Sequence, residues 1–238
     1  MTKEKYQKEI ELIKAQNNTE IELYLLATEI IQPMTGELSK RYVFNRKKSK
    51  KGNIYYGLSS FPDIAILDKD FKDIARDEIK EEDWNGLIGS LEIKALGNKL
   101  FNINEIQECL SKKEVTRDEG QLIGEILWYK KVLYTNGKEW NYIYIDKYSQ
   151  ELKETVLKIV NTRITFEKSK ADKTYQKSEY DWWSEFKKFE ANHKIICKDI
   201  KDYKENETEE DCIVYDCITK NCMDDWDGFI RKINEINW

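Results

Sequence analysis

Apolar residues recur every three to four positions over residues 3–16, with Tyr6, Ile10 and Ile13 on one face, which predicts a first helix. A second helix is predicted after Thr19. Ile21, Leu25, Thr28 and Ile31 recur at helical period, and Thr19 with Glu22 has capping-box spacing. Pro33 to Gly36 must end it. The period then shortens. Tyr42-Val43-Phe44 and Ile54-Tyr55-Tyr56 read as the two strands of a hairpin. Residues 63–67, DIAIL, and 90–96, SLEIKAL, are nearly continuous apolar runs, typical of strands buried on both faces. Between them, residues 69–88 are acidic and carry no clear period. Helical periods return over 104–111 and 118–131. Lys131 to Tyr134 and Glu139 to Ile145 then flank Thr135-Asn136-Gly137-Lys138. Asn-Gly between two apolar runs is a strong hairpin signal.

Beyond residue 147 the pattern changes. Residues 149–161, 180–192 and 224–236 read as helices, and Lys168 to Ser178 as a polar connector. The order of elements predicts an α/β fold in which helices flank a mixed β-sheet over residues 1–147. Residues 148–238 are expected to form a helical C-terminal appendage packed on that core, serving dimerisation or target recognition. No internal repeat or low-complexity block interrupts the chain.

Composition narrows the class. Charged residues make up 36% and hydrophobic ones 40%, so a core can form beneath a heavily solvated surface. No run reaches about 18 apolar residues, and residues 1–10 have no apolar core of a signal peptide, so a cytoplasmic protein without a membrane span is expected. Five cysteines, Cys109, Cys197, Cys212, Cys217 and Cys222, make no CxxC pair. The last four with His193 lack the tight spacings of structural zinc sites and read as reduced thiols. A single histidine excludes any mechanism that needs two. The net charge of −5 does not itself point to nucleic acid. Its distribution does: Lys40, Arg41, Arg46, Lys47, Lys48, Lys50 and Lys51 fall in one segment with no acidic residue. That segment is either a solvated hairpin tip or a phosphate-contacting loop, with Arg46, Lys47, Lys48, Lys50 and Lys51 as the contacts.

One strand carries chemistry. Alternate residues of a strand share a face, so Glu92 and Lys94 point one way and Leu91, Ile93 and Ala95 the other. A glutamate and a lysine inside an apolar strand are costly unless paired or bound to something. Asp63 opens the preceding apolar strand directly after Pro62. If the two strands are neighbours, Asp63 and Glu92 converge on one cation, with the Ile93 carbonyl as a natural third ligand. The alternative is a strand-edge salt bridge and a turn carboxylate.

Pro62-Asp63 followed 29 residues later by Glu92-Ile93-Lys94 resembles the PD-(D/E)xK nuclease signature. Gln121 opening a following helix, Trp128-Tyr129, and Val132 to Gly137 ending at Trp140 resemble the nuclease domains of type I restriction subunits. The resemblance covers roughly residues 15–146. It implies a restriction-endonuclease-like fold and a Mg2+- or Mn2+-dependent endonuclease of a restriction or other defence system, acting on nucleic acid, with DNA the expected substrate. It also implies roles: Asp63 and Glu92 bind the metal, Lys94 positions or activates water, and Gln121 orients substrate or Lys94. A helix glutamate completes the shell; of Glu20, Glu22 and Glu29, Glu22 is the choice. Cutting two strands calls for a homodimer or a partner subunit. The competing expectations are a catalytically silent nucleic-acid- or protein-binding module, and a repair or junction-resolving nuclease.

Overall fold

The apolar runs that bracket the Pro-Asp and Glu-Ile-Lys segments become neighbouring strands. The computed structural model describes residues 1–31, 38–42, 53–73, 75, 77–171, 180–204 and 210–238. Its strands are β1 (Leu38–Tyr42), β2 (Ile64–Asp68), β3 (Leu87–Ile93), β4 (Lys131–Thr135), β5 (Trp140–Lys147), β6 (Ile195–Asp199) and β7 (Asp211–Thr219). They form one seven-stranded mixed sheet in the order β1-β2-β3-β4-β5-β7-β6. The pairs β3–β4 and β6–β7 are parallel and the others antiparallel.

Strand alternation, reset on β3 by a bulge between Leu87 and Gly89, sorts the core into two layers. Ala65, Leu67, Leu87, Val132 and Tyr134 face one side. There they meet α3 (Asn53–Tyr56), α4 (Glu81–Asn85), α5 (Ile103–Ser111), α6 (Arg117–Tyr129), α7 (Gln150–Ala171) and α8 (Trp182–Glu190). Ile64, Ile66, Leu91, Ile93 and Leu133 face the other side, against α1 (Lys3–Gln16), α2 (Glu20–Ile30) and α9 (Trp226–Glu235). The chain is therefore α/β, with helices on both faces of a mixed sheet. Among the described residues no helix is long and apolar enough to cross a membrane.

The hairpin at Asn136-Gly137 forms as predicted and ties the second layer together. Gly137 has φ +85°, which a glycine adopts without penalty. A Cβ at that position would stand 2.9 Å from Leu23 of α2. The Tyr6 hydroxyl of α1 donates to the Gly137 carbonyl at 2.5 Å.

Three expectations are corrected. The helical appendage over 148–238 is one: its three helices form, but β6 and β7 lie in the same stretch and extend the main sheet through β5. The boundary at 147 separates no second core, because Val156, Phe186 and Ile213 share a layer with Trp128 and Val132. The second is the hairpin over 42–44 and 54–56, of which residues 43 and 44 lie outside the described residues. Ile54 to Tyr56 lie in the helical turn α3, and β1 pairs with β2 instead. Packing overrides the strand preference of Ile-Tyr-Tyr: Trp128 Nε1 donates to the Ile54 carbonyl and the Tyr129 hydroxyl to the Tyr55 carbonyl, each at 2.7 Å.

The third concerns α2. Ile21 and Leu25 are 61% and 71% exposed, while Leu23, Leu26, Ala27 and Ile30 are buried. This helix is apolar nearly all round, so its period fits either face. Thr19 makes no side-chain cap hydrogen bond, so the capping box with Glu22 does not form. The basic residues Arg46, Lys47, Lys48, Lys50 and Lys51 lie outside the described residues. Lys40 is described: its ammonium donates to the Thr28 and Ile31 carbonyls, at 2.9 and 2.6 Å.

Candidate active site

Antiparallel pairing of β2 and β3 sets Ile64 opposite Leu91, and one further step in that register brings Asp63 beside Glu92. Both carboxylates thus stand at the C-terminal end of β3. Asp63 is only partly buried, and both its oxygens are bonded. The Ile93 N–H donates to Oδ2 at 2.7 Å, and the Tyr24 hydroxyl of α2 donates to Oδ1.

Glu92 is 2% exposed. Its Oε1 accepts from Lys94 Nζ and from Gln121 Nε2, each at 2.7 Å. Its Oε2 is buried and accepts from no N–H or hydroxyl donor among the described residues, and the Glu125 carboxyl lies within hydrogen-bond reach of Glu92. Glu125, one turn beyond Gln121 on α6, is 1% exposed. Its carboxyl accepts from Ser90 Oγ and Gln121 Nε2, both at 3.3 Å. Helix α6 reaches this position because Gly124 allows close approach: a Cβ there would meet Ser59 Oγ at 2.2 Å. Ser59 precedes the Pro-Asp turn and donates to the Gln121 carbonyl at 3.3 Å.

Three carboxyls and one ammonium therefore share a small volume, and the electrostatics follow. Burial pushes Asp63 well above the ordinary carboxylate range, and the Glu92 charge raises it further. Glu92 is raised by burial, against the pull of Lys94. Glu125 is raised by burial and then by Glu92. Burial is the largest single effect on Lys94 and would lower it, but the Glu92 charge and hydrogen bond together outweigh burial and hold the amine protonated. The cluster is short of positive charge, and a divalent cation would relieve it.

The donor set fits such an ion. Magnesium is commonly held through one or two carboxylates, since it keeps several of its waters. Glu92 Oε2 offers one position. Each bonded Asp63 oxygen retains a second lone pair. Among the described residues no three His, Cys, Asp or Glu side chains are grouped as a ready-made metal cage. His193, read as a weak zinc candidate with the cysteines, instead bonds Asp211 through Nε2, and Cys222 donates weakly to the Gly137 carbonyl at 3.6 Å.

Asp63, Glu92, Lys94 and Gln121 are thus brought together. Glu22 is not: it is exposed and accepts from Asn17 Nδ2 at 3.4 Å, because the first turn of α2 aims it toward the preceding loop. Glu29 pairs with Lys5 at 3.3 Å. Of the three helix glutamates, Glu20 is the one whose charge reaches Asp63, Glu92 and Tyr24. Sequence reasoning also missed Glu125 and Tyr24. The signal for Glu125 was its i+4 spacing from Gln121 within the apolar run LIGEILWY, where a charged residue must have a partner. Tyr24 carried no comparable signal.

No family model, no curated protein and no solved structure matches the chain.

Proposed function

We propose that this chain is a metal-dependent nuclease of the PD-(D/E)xK kind with a restriction-endonuclease-like fold, hydrolysing phosphodiester bonds of DNA in a defence setting. The observation that carries the reading is the convergence of Asp63, Glu92, Lys94 and Gln121 at the end of β3, with one buried Glu92 oxygen that no N–H or hydroxyl donor among the described residues satisfies. Asp63, Glu92 and the Ile93 carbonyl would hold Mg2+ or Mn2+. Bound there, the ion would supply Lewis-acid stabilisation of the phosphate and a more acidic water.

The protein's own groups then have distinct tasks. Lys94, kept charged by Glu92, donates a hydrogen bond to the attacking water or to a phosphate oxygen, and does not act as the base. Gln121 bonds the same Glu92 oxygen as Lys94, so it fixes both side chains relative to each other. Glu92 and Glu125 form a dry floor, while the partly exposed Asp63 and Lys94 face the side from which substrate arrives. A homodimer or a partner subunit would supply a second site for the opposite strand.

The test is cleavage of supercoiled plasmid, linear duplex, single strands and RNA, with magnesium, manganese or chelator. Metal-dependent cleavage is expected, and Asp63→Ala and Lys94→Ala should each abolish it. Undiminished cleavage by Lys94→Ala would overturn the assignment. Salt-sensitive binding without cleavage would favour a silent binding module of the same fold.

A further inference from the structure

We propose that Tyr24 is the positioning residue for Asp63, which makes α2 a working part of the metal site; this rests on the nuclease reading above. Three observations carry it. The Tyr24 hydroxyl donates to Asp63 Oδ1 while the Ile93 N–H takes Oδ2, so the carboxylate is held at both oxygens. One of these holders is main chain and cannot vary; the other is a side chain from a different element. Second, the Tyr24 ring packs on the apolar layer that also buries Leu23, Leu26 and Ala27, which leaves the hydroxyl end at the site. Third, α2 is itself fixed. Lys40 holds its last carbonyls, and Leu23 lies close against Gly137 of the β4–β5 turn.

Asp63 stands just outside β2, where the ladder no longer constrains it. A carboxylate at a strand end can turn about its side-chain bonds, and a cation needs it in one orientation. Partners that hydrogen-bond a ligating carboxylate orient it, and their loss typically weakens metal binding by about 10–100-fold. Gln121 serves Glu92 in this way from α6, and Tyr24 serves Asp63 from α2. Glu20, one turn before Tyr24 on the same helix, places a further charge toward the pair. The two carboxylates are thus aligned from opposite layers of the sheet.

The experiment titrates Mn2+ into the full chain and reads free Mn2+ by electron paramagnetic resonance. Wild type, Tyr24→Phe, Asp63→Asn, Glu92→Gln and the Tyr24→Phe/Asp63→Asn double variant are compared. Urea midpoints in chelator are measured alongside. Tyr24→Phe keeps the ring, so its midpoint should stay near wild type while its Mn2+ affinity falls about 10–100-fold. In the Asp63→Asn background the same change should have no further effect, because it acts through Asp63. If Glu92→Gln loses Mn2+ but Tyr24→Phe binds it like wild type, the inference fails and the site stands. A fall in affinity matched by the same fall in the Asp63→Asn background would also overturn it, since the action would then be structural. If wild type and Glu92→Gln bind Mn2+ equally, the nuclease reading itself fails.

Discussion

Glu125 is the residue on which the electrostatics of the site turn. It contacts Ser90 and Gln121, lies within hydrogen-bond reach of Glu92, and pairs with no cation among the described residues. Its carboxyl, like those of Glu92 and Asp63, is raised above its unfolded value. A raised carboxyl favours the folded state fully below the ordinary carboxylate range, and that contribution is lost as pH rises through the raised value. In chelator, the melting temperature of wild type should therefore fall between pH 5 and pH 8. Glu125→Gln removes one of the three titrations, so its curve should be flatter. Added Mn2+ should raise the wild-type melting temperature most at the upper end of that range, where the carboxyls are charged. Parallel pH profiles for wild type and Glu125→Gln would show that Glu125 is not coupled to the pair. At this scale much of the site was legible, because strand alternation alone sets Glu92 and Lys94 on one face. What stayed hidden were groups reaching in from helices, whose direction depends on how those helices pack.

Helix α6 delivers both Gln121 and Glu125, so its start matters. Thr116 and Glu119 form a capping box: the Glu119 N–H donates to Thr116 Oγ1 at 3.3 Å, and the Thr116 N–H to Glu119 Oε2 at 2.8 Å. Lys112 adds an ion pair at 2.8 Å. The Lys112 hydrogen bond pulls Glu119 down to about 2, against a smaller opposing effect of burial. A depressed carboxyl stabilises the fold above the ordinary range, and the benefit disappears as pH falls toward the lowered value. Glu119→Gln should lower the melting temperature by about 2–4 °C near pH 7, a typical consequence of losing one cap contact in a chain of this size. The deficit should shrink as pH is brought to 3. A deficit that is constant with pH would assign the loss to packing rather than charge. Elements with strong local signals, such as the Asn136-Gly137 hairpin and α6, were readable from sequence. Helix α3 and the buried face of α2 were not, because Ile54-Tyr55-Tyr56 and EIELYLLATEI are apolar enough to suit more than one arrangement, and Trp128, Tyr129 and Gly137 decide between them.

At the scale of the whole molecule, the last third is structural support for the site. The strand β7 is paired on both sides, antiparallel to β5 and parallel to β6. Its residues Asp211 to Tyr215 are all buried. The run Cys212-Ile213-Val214-Tyr215 had the composition of a strand, but charged segments on either side and three strong helical patterns masked it. Both layers depend on this region: Val156, Val160 and Phe186 complete one, and Trp226 and Phe229 the other. A buried side chain of this size contributes on the order of 1.5–3 kcal/mol, so losing five is comparable with the whole margin by which a domain is stable. Without β7, β5 would also become an exposed apolar edge, which invites aggregation. A chain ending at residue 147 should therefore fail to fold alone, although it retains Asp63, Glu92, Lys94 and Gln121. The full chain should lose its near-ultraviolet circular dichroism and its Mn2+-dependent stabilisation in one transition. A 1–147 fragment that melts cooperatively and responds to Mn2+ would instead restore residues 148–238 as a separable appendage.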